Sequence, residues 1–251
     1  MQIINRLFVT GVALLLATSI LTACGGKEER KAKYLERGKV YLAEKNYDKA
    51  MIEFKNVLQI DPKSAEGYFY LGRVEEKKQN WSRAFGDYRK AIELDPDLVE
   101  SRIRLARIYL AQASVLLARD DDEGAANARG LVQEQINEIQ ARDPENLEGL
   151  TLEAKLWIGD GETDKAMEQL ERVIQKDPGL QSAAVQLASI YDQKGRVDDA
   201  ELVLVKAAQT NTDPVVLQQR LAQLYRKHEK NDNAEEILRQ IVNDNPDELG
   251  Y

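Results

Sequence analysis

Few side chains in this sequence are suited to covalent or acid-base chemistry. There is one cysteine, Cys24, and one histidine, His228, in 251 residues. His228 sits beside Lys227 and Lys230 in a polar stretch, which predicts a solvated loop position. No nucleophile elbow, phosphate loop or zinc-ligand spacing occurs, and Gly25, Gly26 and Lys27 form only a short linker fragment. Asp and Glu total 43, so pairs of carboxylates carry no information about acid-base catalysis. The run Asp120, Asp121, Asp122, Glu123, Gly124 lacks the alternating ligand spacing of a calcium loop. Acidic residues ahead of a helix are explained by the positive end of its dipole. The expectation is a chain that is not an enzyme and that uses no cofactor and no metal, so its chemistry is that of binding.

The elements that present a binding surface are written in six prolines: Pro62, Pro96, Pro144, Pro178, Pro214 and Pro246. Read backwards from each, a pattern of 34 residues repeats. Its second copy carries Tyr68, Leu71, Gly72, Ala84, Tyr88, Ala91 and Pro96. The first gives Tyr34, Gly38, Tyr41, Ala50, Phe54 and Pro62, with Arg37 where Leu is usual. Later copies keep Ala106 and Tyr109, Ala154, Trp157 and Ala166, Ala188, Tyr191 and Ala200, and Ala222, Tyr225 and Ala234. A small residue at the eighth and twentieth positions lets two antiparallel helices approach, and the large residues fill the space that remains. Asp48, Ser82, Asp164, Asp198 and Asp232 precede the second-helix alanines and are expected to cap those helices. Asp-Pro stops a helix because proline pushes the preceding residue out of helical backbone.

This pattern resembles the tetratricopeptide signature. The resemblance implies an all-α fold, a right-handed α-solenoid of about six helix hairpins at 31–64, 65–98, 99–146, 147–180, 181–214 and 215–248. Residues 249–251 look like the opening of a further repeat. The third repeat, between Pro96 and Pro144, carries 14 residues more than the others. Two added turns in each helix preserve the buried faces, so a taller hairpin is expected with Val115, Leu116 and Leu117 near its tip.

The N-terminus carries Arg6 and an apolar run from Leu7 to Leu21, the layout of an export signal at 1–23. The run is too short and too interrupted to span a membrane. Leu21, Thr22, Ala23 and Cys24 resemble the lipobox of bacterial lipoproteins, which implies lipidation at Cys24 followed by a tether, 24–30. Gly25, not Asp, follows the cysteine. In that family this implies an outer-membrane lipoprotein facing the periplasm. Residues 27–112 hold 19 Lys and Arg against 15 Asp and Glu, whereas 113–251 hold 15 against 28. The acidic balance of the whole argues against nucleic acid as a partner.

In the tetratricopeptide family the groove is lined by positions two, five, nine and twelve of each first helix. Here these positions and their neighbours give Lys39, Phe69, Tyr70, Arg73, Ile103, Arg104, Arg107 and Lys155. Cations interleaved with aromatics suit an acidic or carboxylate-bearing protein segment, since Arg grips carboxylates bidentately while rings cover apolar stems. The tip, Val115, Leu116 and Leu117, is the alternative docking surface. The resemblance to repeat lipoproteins of exopolysaccharide and exosortase systems implies a membrane-anchored scaffold for envelope export or assembly. A second resemblance is to the pilotins of type IV pilus secretins, and a carbohydrate-active or other enzyme is the remaining alternative.

Overall fold

In this computed structural model, residues 26–244 are described, and α-helix is their only regular secondary structure. Helix α1 runs through residues 26–43. It is followed by α2 (Tyr47–Ile60), α3 (Ala65–Lys77), α4 (Trp81–Leu94), α5 (Val99–Leu117) and α6 (Asp122–Arg142). The remainder are α7 (Leu147–Gly159), α8 (Thr163–Lys176), α9 (Gln181–Gln193), α10 (Val197–Thr210), α11 (Val215–Lys227) and α12 (Asn231–Asp244). Two compact units divide the chain at Ile108 and Tyr109, within α5.

In the first unit α3 packs against both α2 and α4. Its core includes Ala50, Phe54, Val74, Ala84 and Tyr88, all fully buried. In the second unit each helix from α6 to α12 packs on the next in sequence, and the first helix α9 also meets the first helices α7 and α11. Ala166, Leu170, Ala200, Leu204, Leu217 and Tyr225 belong to one continuous core there. Sequential packing of helix hairpins is the α-solenoid arrangement, in which each repeat buries one face within itself and the other against its neighbour.

The Asp-Pro stops act at four helix ends. Asp61, Asp95, Asp143 and Asp177 are extended C-caps with φ of −134°, −137°, −142° and −137°. At the fifth stop α10 ends earlier, on Asn211, and Pro214 becomes the N-cap of α11. Helices α5 and α6 are 19 and 21 residues long, against 13 or 14 for α2–α4 and α7–α12.

Three expectations are corrected. Asp48, Asp164 and Asp198 are first-turn residues, while the caps of their helices are Asn46, Glu162 and Arg196. The same holds for Ser82, which lies inside α4 behind Asn80. First-turn acids still favour the dipole, and two tie neighbouring repeats together: Lys78 Nζ reaches Asp48 at 2.5 Å and Lys194 Nζ reaches Asp164 at 2.6 Å. Residues 26–30, expected as tether, are helical and continue α1. Pairs one turn apart, Lys31 with Glu28 and Lys33 with Glu29, support that start. Finally, Phe69 and Ile103 are buried, so they contribute to packing and not to an open groove. Cys24, the signal segment and 249–251 lie outside the described residues.

Candidate partner-binding faces

Helix α3 owes its close approach to α4 to Gly72, where an added Cβ would stand 2.7 Å from the Tyr88 ring. The same helix presents Tyr70 and Arg73 one turn apart. Tyr70 stacks on Phe54 at 5.1 Å and meets Phe69 edge-on at 5.0 Å. Lys39 Nζ lies 5.2 Å from the centre of the Tyr70 ring and pairs with Glu36 and Glu66 at 3.0 and 3.1 Å. Partial burial disfavours its charge, but those two carboxylates outweigh the effect and hold its pKa above the ordinary lysine value.

Arg104 on α5 pairs with Glu76 at 3.1 Å, and the other oxygen of Glu76 accepts the Tyr88 hydroxyl at 2.6 Å. Burial and the neighbouring Glu76 carboxylate both push the Tyr88 phenol upward, so it stays protonated as a donor. Glu76 is thus satisfied from two sides. Arg73 is not: it is half-buried, and among the described residues no hydrogen bond or ion pair reaches its guanidinium. Burial, and then the like charge of Arg104, lower its pKa against the weaker opposing pull of Tyr88, Tyr70 and Glu76. A desolvated cation beside another cation is an unsatisfied electrostatic demand, and an anion placed there would relieve both terms. Arg107 is half-buried on the same helix as Arg104.

In the second unit Lys155 is exposed on α7. Val115 and Leu117 are each 49% exposed, while Leu116 is half-buried. The acidic run beside them is used locally: Asp121 caps α6 by accepting from the Gly124 amide at 2.9 Å, and Asp122 and Glu123 occupy the first turn.

Groove positions taken from the first four repeats do not reach a cleft of about 410 Å³ between α9 and α11. Val185, Ser189, Asp192, Arg220, Gln223 and Lys227 are among its walls. Extending the same position rule to the last two repeats would have found Val185, Ser189, Asp192 and Gln223. Asp192 accepts from Lys227 at 2.8 Å and lies 2.6 Å from His228 Nε2. Burial works against the Asp192 charge, yet these two partners win and lower its pKa.

Models of the tetratricopeptide repeat match residues 34–64, 65–98, 157–216 and 218–248. The chain belongs to the tetratricopeptide-repeat family. None of these four matches includes the long helices α5 and α6. Among solved structures, a thermophilic TPR protein of Thermus thermophilus is 20% identical, with a TM-score of 0.65 over 77% of this chain and 98% of that one. PilF of Pseudomonas aeruginosa, also 20% identical, gives 0.53 over 88% and 95%. PilW, described as a widely conserved type IV pilus biogenesis factor, gives 0.55 at 17% identity over 86% and 94%. At such identities the likeness is one of fold. No curated protein matches the chain in sequence.

Proposed function

We propose that this repeat protein is a protein-binding scaffold of an envelope export or assembly system, anchored through lipid on Cys24, and that Arg73 receives a carboxylate of its partner. The observation that carries the binding site is the guanidinium of Arg73, half-buried, unpaired among the described residues and beside Arg104. Tyr70, one turn away on the same helix, supplies an aromatic ring over which the Lys39 ammonium lies. Pilus assembly is the pathway favoured within this reading, because PilF and PilW are matched over nearly their whole lengths. The exopolysaccharide and exosortase systems are the alternative.

Arg73→Leu separates ligand binding from a structural role. An unpaired half-buried cation costs stability, so the leucine variant should unfold later on heating, by about 1 kcal/mol. Binding of a synthetic Asp- and Glu-rich peptide should weaken about tenfold or more, and the salt dependence of the remaining binding should flatten. Equal peptide affinity in both proteins would overturn the site. For the anchor, Cys24→Ser should leave the protein in the soluble fraction after carbonate washing. For the pathway, secretin mislocalised in a deletion strain is the expected result, and correct localisation would remove the pilus reading.

A further inference from the structure

The surroundings of Arg73 combine two guanidiniums with one carboxylate. Along α3, Arg73 stands three residues from Tyr70 on one side and three from Glu76 on the other, so it is a surface neighbour of both. Arg104 reaches the same place from α5, pairing with Glu76 at 3.1 Å and lying near enough to Arg73 for the two like charges to act on each other. Two arginines brought together from different helices would by themselves grip a phosphoryl group, which carries about 1.5 to 2 negative charges at neutral pH. Glu76 alters that sum. Its side chain and that of Arg104 are only 23% and 25% exposed, so water screens their charges weakly. Glu76 is also held in place, because its second oxygen accepts the buried Tyr88 hydroxyl at 2.6 Å. Lys39 adds nothing to the sum, being shared by Glu36 and Glu66 at 3.0 and 3.1 Å. Two positive charges and one negative leave the group of Arg73, Arg104 and Glu76 with a single net positive charge.

We propose that Glu76 determines the specificity of this site, admitting the single charge of a carboxylate and turning away a doubly charged phosphoryl group. The inference rests on Arg73 receiving an anion and goes further by fixing which anion. A carboxylate on Arg73 sets one negative charge against one net positive charge. A phosphoryl group in the same place brings a second negative charge beside Glu76, and like charges that close repel strongly where screening is weak. Because Tyr88 and Arg104 both hold Glu76, it cannot swing aside to relieve the repulsion. The acid that the partner presents is therefore an Asp or Glu side chain or a chain terminus, and not a phosphorylated side chain.

Two end-capped peptides, otherwise neutral and identical except for a central Glu or phosphoserine, serve as probes. Titrated into the full chain near neutral pH, the Glu peptide should bind about tenfold more tightly than the phosphoserine peptide. Glu76→Gln and Arg104→Gln break the same ion pair, so a merely structural role for that pair would move the affinity ratio of the two peptides in the same direction in both variants. The proposal requires opposite directions. Glu76→Gln should shift the ratio about tenfold toward phosphoserine, while Arg104→Gln, which leaves Glu76 unopposed, should shift it further toward Glu. A ratio that Glu76→Gln leaves unmoved, or that both variants move the same way, would overturn the proposal. Arg73→Leu tells this failure from that of the site beneath it. If Arg73→Leu weakens the Glu peptide while Glu76→Gln leaves the ratio unmoved, the selectivity alone falls; if the Glu peptide binds Arg73→Leu unchanged, the site falls and the selectivity with it.

Discussion

The two units solve one packing problem with different volumes. In the first, the eighth and twenty-fourth positions hold Gly38 with Phe54 and Gly72 with Tyr88, and any Cβ at either glycine would collide with the facing ring. In the second, the same registers hold Ala154 with Leu170 and Ala188 with Leu204, every one buried. A missing methyl is matched by a ring, and a methyl by a leucine, so the volume between the helices is conserved while its parts are exchanged. The electrostatics differ as well. Around the buried tyrosines of the second unit each cation has its acid: Arg196 stacks on Tyr191 and pairs with Asp199, and Lys230 lies over Tyr225 and pairs with Glu201. In the first unit Glu76 serves both Tyr88 and Arg104, and it acts on Arg73 only through space, without a hydrogen bond. The packing difference is neutral, whereas the charge difference leaves the first unit with an unmet demand.

The most severe way to break this comparison is Gly72→Ala. Its methyl would lie 2.7 to 3.1 Å from three ring carbons of Tyr88, and the overpacking should destabilise the protein by about 2 kcal/mol after the helix-propensity gain. In a Tyr88→Leu background, which recreates the pairing of the second unit, the same substitution should become neutral or stabilising. Thermal unfolding of the four proteins gives the coupling directly. A Gly72→Ala penalty that persists once the ring has been replaced would show that the glycine serves something other than Tyr88. Gly86→Ala is the control: its Cβ would meet nothing within 4 Å, so it should stabilise by about 0.5 to 1 kcal/mol.

A smaller effect separates two aspartates by pH. In the first unit burial and then Glu75 push Asp87 up to about 6, with Arg83 and Lys55 opposing. In the second unit Asp192 is shifted downward by Lys227 and His228 in spite of burial. The signs are opposite. Asp87 takes up its proton in the folded state first, so its charge costs stability that is regained as the pH falls from 6 toward its unfolded value near 3.8. Asp192 stabilises the fold throughout that window, and its contribution is lost only as the pH falls below 3.8 through its lowered folded-state value. Asp87→Asn should therefore raise the melting temperature at pH 7.5 by a few degrees and leave it unchanged near pH 4. A shift independent of pH would show that the carboxylate charge is not the cause.

Much of the fold is legible in the chain because volume and backbone rules are local. Asp61-Pro62 announces a helix end through the chemistry of two adjacent residues, and Gly72 announces a crossing because a larger residue has no room there. The caps are misplaced by composition because an acid inside the first turn, such as Asp164, has the same signature as one just ahead of it. Phe69 and Ile103 escape a position rule because such a rule names a face of the helix without saying what lies against it. The want of a partner at Arg73 is invisible in sequence, since it depends on Glu76 being claimed by Arg104, 28 residues away, and by Tyr88.

The mildest test concerns the turn within each hairpin. A left-handed residue recurs there at 34-residue spacing, Lys45 and Gln79 in the first unit and Gly161, Gly195 and Glu229 in the second. Gly161 and Gly195 have φ of 83° and 74° and bear no Cβ penalty, while Lys45 and Gln79 sit at 59° and 61°. Their side chains are exposed and no helix interior is involved, so the conformational strain can be removed without disturbing packing. Gln79→Gly should therefore stabilise the protein, by up to about 1 kcal/mol once the greater entropy of glycine in the unfolded chain is set against the relieved strain. Gly195→Gln should cost a similar amount, because the turn it occupies demands the same backbone. Chemical denaturation with unchanged m-values would report both. If Gln79→Gly destabilised instead, the side chain would be contributing a contact that outweighs its backbone strain, and the equivalence of the two units at this register would fail.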